Sequence, residues 1–142
     1  MQEFVRTLTQ SEALELIRQR QGEQKLAQSA DFCGSGESWQ AALGRTKAAV
    51  VVLGIPSDIG VRANFGKLGC ATLWAAARAK FLSMQANAAL RGESLLVLGE
   101  IAVDDVMRKA GTLDPTRDVD LAALHALVCE VDERVAAVAQ EV

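Results

Sequence analysis

The chain has 142 residues, half of them hydrophobic and 23% charged, with an aromatic share of only 4% and no Tyr. Fifteen Lys and Arg against eighteen Asp and Glu give a net charge of −3 and a pI near 5.2. This balance excludes a disordered chain and leaves no basic footprint for nucleic acid or an anionic lipid surface.

In chain order, the start Met1-Gln2-Glu3-Phe4 lacks a basic region leading into an apolar run, so it does not read as a secretory signal. Thr9-Gln10-Ser11-Glu12 fits a capping box and predicts a helix beginning there, with Leu14 and Ile17 as its apolar stripe. A polar run, Arg18 to Lys25, follows, and Cys33-Gly34-Ser35-Gly36-Glu37-Ser38 reads as a flexible loop. Ala48 to Ile55 is a continuous apolar, β-branched run, the pattern of a strand buried on both faces under covering helices. It is far too short to span a bilayer.

Pro56 ends that run, and a loop carrying Gly60, Gly66 and Gly69 leads to a predicted helix over Cys70 to Leu90. Trp74 and Phe81, seven apart with Arg78 between them, form its expected core face. Ser94 to Ile101 is a second apolar run. Strand, loop, helix and strand in this order make a βαβ unit over residues 48–101. It is flanked by an N-terminal helix and loop (1–47) and by a loop and C-terminal helix (102–142). Within Asp120 to Val142, Leu121, Leu124, Val128, Val131, Val135, Val138 and Val142 recur at alternating threes and fours. Such a stripe either covers the sheet or forms a heptad seam for a partner. Two strands make a poor sheet, so the expectation is a single partial domain of about two strands and three helices, the opening of a larger α/β fold.

Few residues suggest chemistry. Gly66-Lys67 is followed by Leu68, which breaks a phosphate loop, and Gly34-x-Gly36 lacks both the third small residue and a preceding strand for a dinucleotide site. Three widely spaced cysteines, Cys33, Cys70 and Cys129, without a Cys-x-x-Cys, read as reduced residues of a cytoplasmic protein. Cys70 stands near a helix start, where the helix dipole could lower its pKa, but a small buried residue is the simpler reading. His125, the sole histidine, is expected at a helix surface or boundary because metal sites need several ligands together. Glu100, with Asp104 and Asp105 close behind, could hold a divalent cation or cap the next helical turn.

The segment Pro56 to Gly66 is the most informative. It leaves the carboxyl end of a strand, where open α/β sheets bind ligands. Asp58, Arg62 and Asn64 could orient a polar substrate, Arg62 as a carboxylate fork and Asn64 as donor and acceptor. On spacing alone the favoured reading is a loop whose Asp58 makes local turn hydrogen bonds and whose Arg62 is solvated.

The string Val51-Val52-Leu53-Gly54-Ile55-Pro56-Ser57-Asp58-Ile59-Gly60-Val61-Arg62-Ala63-Asn64-Phe65-Gly66, with Gly69 and Trp74 after it, resembles the arginase–agmatinase–formimidoylglutamase (ureohydrolase) family, most of all its formimidoylglutamase-like branch. The likeness covers residues 48–101 and includes Leu95 to Glu100 as the second strand. It implies an arginase-type three-layer α/β/α sandwich on a mostly parallel sheet. It also implies Mn-dependent hydrolysis of a linear C–N bond in formiminoglutamate, agmatine or arginine, with a bridging hydroxide as nucleophile. On this likeness Arg62 and Asn64 face the substrate, Asp58 fixes the loop, and Gly54, Gly60 and Gly66 shape it. The family's Gly-Gly-His, Asp-x-His-x-Asp and Asp-x-Asp metal segments do not occur here. No residue carries over as a metal ligand or catalytic group, and the chain alone is expected to be inactive. The partner expected is a second copy or a chain supplying the rest of the fold. The alternative is a non-catalytic binding or oligomerisation module that self-associates through its last helix.

Overall fold

A computed structural model describes residues 4–142, so Met1, Gln2 and Glu3 lie outside the described residues. The elements run β1 (Val5–Thr7), α1 (Gln10–Glu15), α2 (Leu26–Ser29), β2 (Asp31–Phe32), α3 (Trp39–Arg45), β3 (Val50–Gly54), α4 (Ile59–Ala63), α5 (Leu73–Leu82), β4 (Leu95–Ile101), α6 (Asp104–Gly111) and α7 (Asp118–Ala139). The fold is mixed α/β on a small mixed sheet of four strands.

β4 pairs with each of the other three strands. β3 lies parallel to it over Leu95–Glu100, β2 parallel over Leu96–Val97, and β1 antiparallel over Gly99–Ile101. The β1 and β2 contacts do not overlap each other, but both overlap those of β3. β1 and β2 therefore share one edge of β4, and β3 takes the other. Between Val52 and Leu53 the register slips by one residue, a bulge that leaves Leu98 unmatched and places Gly99 at φ +130°.

Side chains of β4 alternate between two cores, as a pleated strand requires. Leu96 and Leu98 face a core built with Trp39, Ile59, Val106 and Leu124. Leu95 and Val97 face the other, with Leu26, Phe32 and Leu82. The helices thus form a layer on each face, with α3, α4, α6 and α7 on one side and α1, α2 and α5 on the other.

Several expectations hold in their coarse form. α1 begins at the Thr9 capping box, where the Glu12 amide donates to Thr9 Oγ1 at 3.3 Å and Thr9 N–H donates back to Glu12 at 2.8 Å. Such a cap stabilises a helix end by about 1 kcal/mol. β3, α5 and β4 form the expected parallel βαβ unit. The stripe of α7 covers the sheet, with Leu124, Val131 and Val138 buried and Leu121, Val128 and Val135 packed on the same core. Of the two readings of the stripe, cover for the sheet is the one its packing matches.

Other expectations are corrected. The sheet has four strands, not two, because β1 and β2 are three and two residues long and too short to show a period-2 pattern. There are also more helices than three, since α2, α3, α4 and α6 each span eight residues or fewer. The helix expected to reach Leu90 stops at Leu82. Beyond it the backbone is captured elsewhere: Leu26 N–H donates to Met84 O, Ala86 N–H donates to Gln24 O, and the Asn87 carboxamide caps the turn by accepting from Ala89 and Leu90. β3 is not buried on both faces, and Val50 is 50% exposed; among the described residues no strand pairs with its outer edge.

The loop at 33–38 is pinned rather than flexible. Arg45 at the end of α3 donates to Glu37 Oε1 at 2.7 Å, to Asp31 Oδ1 at 2.9 Å and to the Phe32 carbonyl at 2.6 Å. Glu37 also accepts from the Gly34 amide at 2.7 Å. Arg45 foremost, then this amide, pull the Glu37 carboxyl down to about 2.

Cys33 is buried and Cys70 and Cys129 are exposed. Burial, followed by the Glu37 charge, pushes the Cys33 thiol up to about 11. Since the thiolate is the nucleophile, a thiol reagent at neutral pH is expected to label two cysteines of the native chain. Cys33 should react only on unfolding, which mass spectrometry of the labelled chain reads directly.

Candidate functional site

The parallel strands β3 and β4 end on the same side of the sheet, and the loop at 55–69 leaves β3 there. Its middle winds into α4, anchored by buried Ile59 and Ala63 against α7. Asp58 stands at the N-cap of α4, and its Oδ2 accepts from the Gly69 amide at 3.2 Å, closing the loop on itself. Arg62 is half-buried, and its Nη1 donates to the Leu113 carbonyl at 3.3 Å, tying α4 to the connection between α6 and α7. Asn64 stands at the C-cap, and its Nδ2 donates to the Gly60 carbonyl at 2.8 Å. The structure therefore places all three expected residues on one short helix and its caps, each engaged by at least one bond within the chain.

The three glycines differ. A Cβ on Gly54 would be driven into the Trp74 ring, and one on Gly66 would sit 2.7 Å from Val61 Cγ1. At both positions the close approach requires glycine. Gly60 lies inside α4 with open space around it and no positive φ, so the geometry does not require glycine there. Phe65 adopts φ 56°, an unusual conformation for a large side chain, and lets the chain reverse so that the Gly66 amide donates to Val61 O at 2.8 Å.

Beside this loop, at the end of β4, lies a cleft of about 350 Å³ lined by Arg6, Glu12, Glu15, Arg78 and Glu100. Glu100 stands opposite Arg6 across the β1–β4 ladder and accepts from Arg6 Nη1 at 2.7 Å. Arg78 Nη1 is 3.6 Å from its other oxygen. Arg6 also bonds Asp104, and that bond, ahead of the Glu100 contributions, raises the Arg6 pKa. Glu100 and Asp104 are thus engaged by guanidinium groups rather than left open for a cation. Asp105 is bound by Arg134, at 2.7 Å and 2.8 Å.

Sequence reasoning missed Arg6 and treated Arg78 as a spacer between core aromatics. Arg6 lies in a three-residue strand with no pattern of its own. The available signal for Arg78 was its place four residues after Trp74, which stacks a helical pair, and its guanidinium lies 5.9 Å from the Trp74 ring centre. The other candidates separate from this site: His125 is exposed on α7, and Cys70 is exposed with its Sγ 3.5 Å from the Ser57 carbonyl.

Among the described residues, no three His, Cys, Asp or Glu side chains converge as a metal site. The donor set of the described residues does not fit a manganese ion. No helix of the described residues is long and apolar enough to cross a membrane. No family model, curated protein or solved structure matches the chain.

Proposed function

We propose that the chain is an N-terminal part of a Mn-dependent ureohydrolase-like protein that hydrolyses a linear C–N bond, of formiminoglutamate before agmatine or arginine, and that it has no activity alone. The observation that carries this reading is the segment Gly54 to Gly66. Its family-like string leaves the carboxyl end of a parallel strand, where α/β sheets bind ligands. It is held in one shape by the Asp58–Gly69 and Arg62–Leu113 bonds. A helix layer on each face of the sheet is the arrangement an arginase-type sandwich needs. In this reading Arg62 and Asn64 serve the substrate side, Asp58 fixes the loop, and the metal ligands come from polypeptide outside this chain. The second reading is a non-catalytic assembly module of the same fold, and the unpaired outer edge of β3 favours it.

The test combines metal analysis, a turnover assay and NMR titration of the isolated chain with manganese and each of the three substrates. No stoichiometric manganese and no urea or formamide release are expected, together with shift changes at the amides of residues 57–69. Turnover by the chain alone would overturn the inactive-alone part. An unperturbed loop with all three substrates would remove Arg62 and Asn64 from the substrate side.

A further inference from the structure

The cleft at the end of β4 draws its lining from β1, α1, α5 and β4, on the face of the sheet opposite α4. It lies on the β1 side of β4, whereas Val142 stands against Val51 and Leu53 of β3 on the other side. The cleft therefore borders neither the outer edge of β3 nor the loop at 55–69. Its charges do not match. Arg6 and Glu100 satisfy each other at 2.7 Å. Arg78 is left out of that bond: its Nη1 is 3.6 Å from Glu100 Oε2, beyond hydrogen-bond reach. Its Nε is buried without a partner among the described residues. The side chain is only 21% exposed, and a guanidinium so placed has five donors to satisfy.

On the α1 side, Glu12 and Glu15 stand three residues apart and share one helix face. Thr9 takes one Glu12 oxygen, and neither carboxylate forms an ion pair among the described residues. The cleft thus holds an unmet guanidinium and an unmet pair of carboxylates. A lone anion would meet Glu12, Glu15 and Glu100, and a lone cation would leave Arg78 without an acceptor. Only a ligand carrying both charges suits all of these groups. We propose that the cleft binds a free α-amino acid with an uncharged aliphatic side chain. Its carboxylate takes the Arg78 guanidinium, and its ammonium sits between Glu12 and Glu15. What remains of the lining is Thr7, Leu8, Leu16 and the closed Arg6–Glu100 pair, which leaves no partner for a charged side chain. A space of about 350 Å³ is at the small end of ligand clefts, the right scale for such a molecule. This inference goes beyond the ureohydrolase reading, since the site lies across the sheet from Arg62 and Asn64 and assigns no reaction.

The experiment is calorimetric and amide-NMR titration of the chain with L-leucine up to about 10 mM. Binding at one site is expected, with shifts at the amides of residues 6–16, 78 and 100 and none at residues 57–69. The parent compound is then compared with 3-methylbutylamine, which lacks the carboxylate, with 4-methylpentanoate, which lacks the ammonium, and with L-glutamate, whose side chain adds a third carboxylate-facing charge. Each should bind at least about tenfold more weakly. Arg78→Lys keeps the charge but loses the fork, and Glu15→Gln changes an exposed residue that the fold does not use. Each should weaken L-leucine by about tenfold or more with an unchanged circular dichroism spectrum. Absence of heat and of shifts with L-leucine overturns the proposal. An analogue that binds as tightly as L-leucine, shifts that fall elsewhere, or unchanged affinity in Glu15→Gln overturns it equally. None of these outcomes depends on manganese or on turnover, so the ureohydrolase reading stands or falls separately.

Discussion

Gly99→Ala is expected to remove a large part of the stability of this chain. The residue adopts φ +130°, where a Cβ is strained at a cost of about 1–3 kcal/mol. That Cβ would also be driven into the Arg6 carbonyl while standing 3.0 Å from the Leu8 amide nitrogen and Thr7 Cα. Such overpacking adds about 1–3 kcal/mol and forces β1 away from β4, its strand partner. The total of roughly 2–6 kcal/mol compares with the 5–15 kcal/mol of a typical domain and corresponds to a fall in Tm of roughly 8–24 °C. Gly60→Ala is the control. In α4, with open space around the added methyl, it should be neutral or stabilise by up to about 1 kcal/mol. Thermal melts of the two variants decide the matter, and equal melting temperatures would contradict the bulge geometry.

Arg134→Met is the second large effect. Arg134 is 7% exposed and holds three partners. Its Nη1 donates to Asp105 at 2.8 Å and to the Ala102 carbonyl, and its Nη2 donates to Asp105 at 2.7 Å and to Glu130 at 2.6 Å. The fork fastens α7 to the start of α6 and to the end of β4. Met fills the apolar stem but abandons two carboxylates and a carbonyl. Charged hydrogen bonds of this kind contribute about 1.5–3 kcal/mol each when buried. Asp105 is 46% exposed, and water recovers part of that loss, so about 2–4 kcal/mol is expected. The pH dependence follows from the same bonds. Arg134 holds the Asp105 carboxyl below its ordinary range. Its stabilisation is therefore complete above the unfolded value near 3.9 and fades as pH falls through the lower folded value. Denaturant melts between pH 7 and pH 2 should show a shallower acid loss in Arg134→Met than in the parent. An unchanged acid slope would mean the pair does not form in solution.

The parts of the fold that announce themselves in sequence are those whose signal is local. The Thr9–Glu12 box sets a helix start through side chains three residues apart, the β-branched apolar run before Pro56 reads as a strand, and the α7 stripe repeats over several turns. β1 and β2 carry no such signal. They are strands because β4 offers them backbone partners, and a two-residue pairing such as Asp31–Phe32 with Leu96–Val97 exists only after the chain has folded back on itself. Arg45 and Arg134 belong to the same class, since nothing in their neighbourhoods names a carboxylate 14 or 29 positions away. The candidate loop was legible as a string and as a strand end. Its internal bonds were not, because Gly69 and Leu113 are unremarkable residues until the geometry brings them to Asp58 and Arg62.

Among the described residues β4 is the partner of every other strand, with a consequence for synthesis. Its first residue, Leu95, leaves the ribosome long after β1, β2 and β3. At 5–20 residues per second, β1 waits roughly 4–18 s for its partner. Through the second half of that interval the run from Ala48 to Ile55 is an apolar segment with no strand on either side, the kind of sequence that chaperones hold and that nascent chains on one message share. A ribosome paused shortly before codon 95 would present no sheet at all, and one released a few residues past 101 could close all four strands at once.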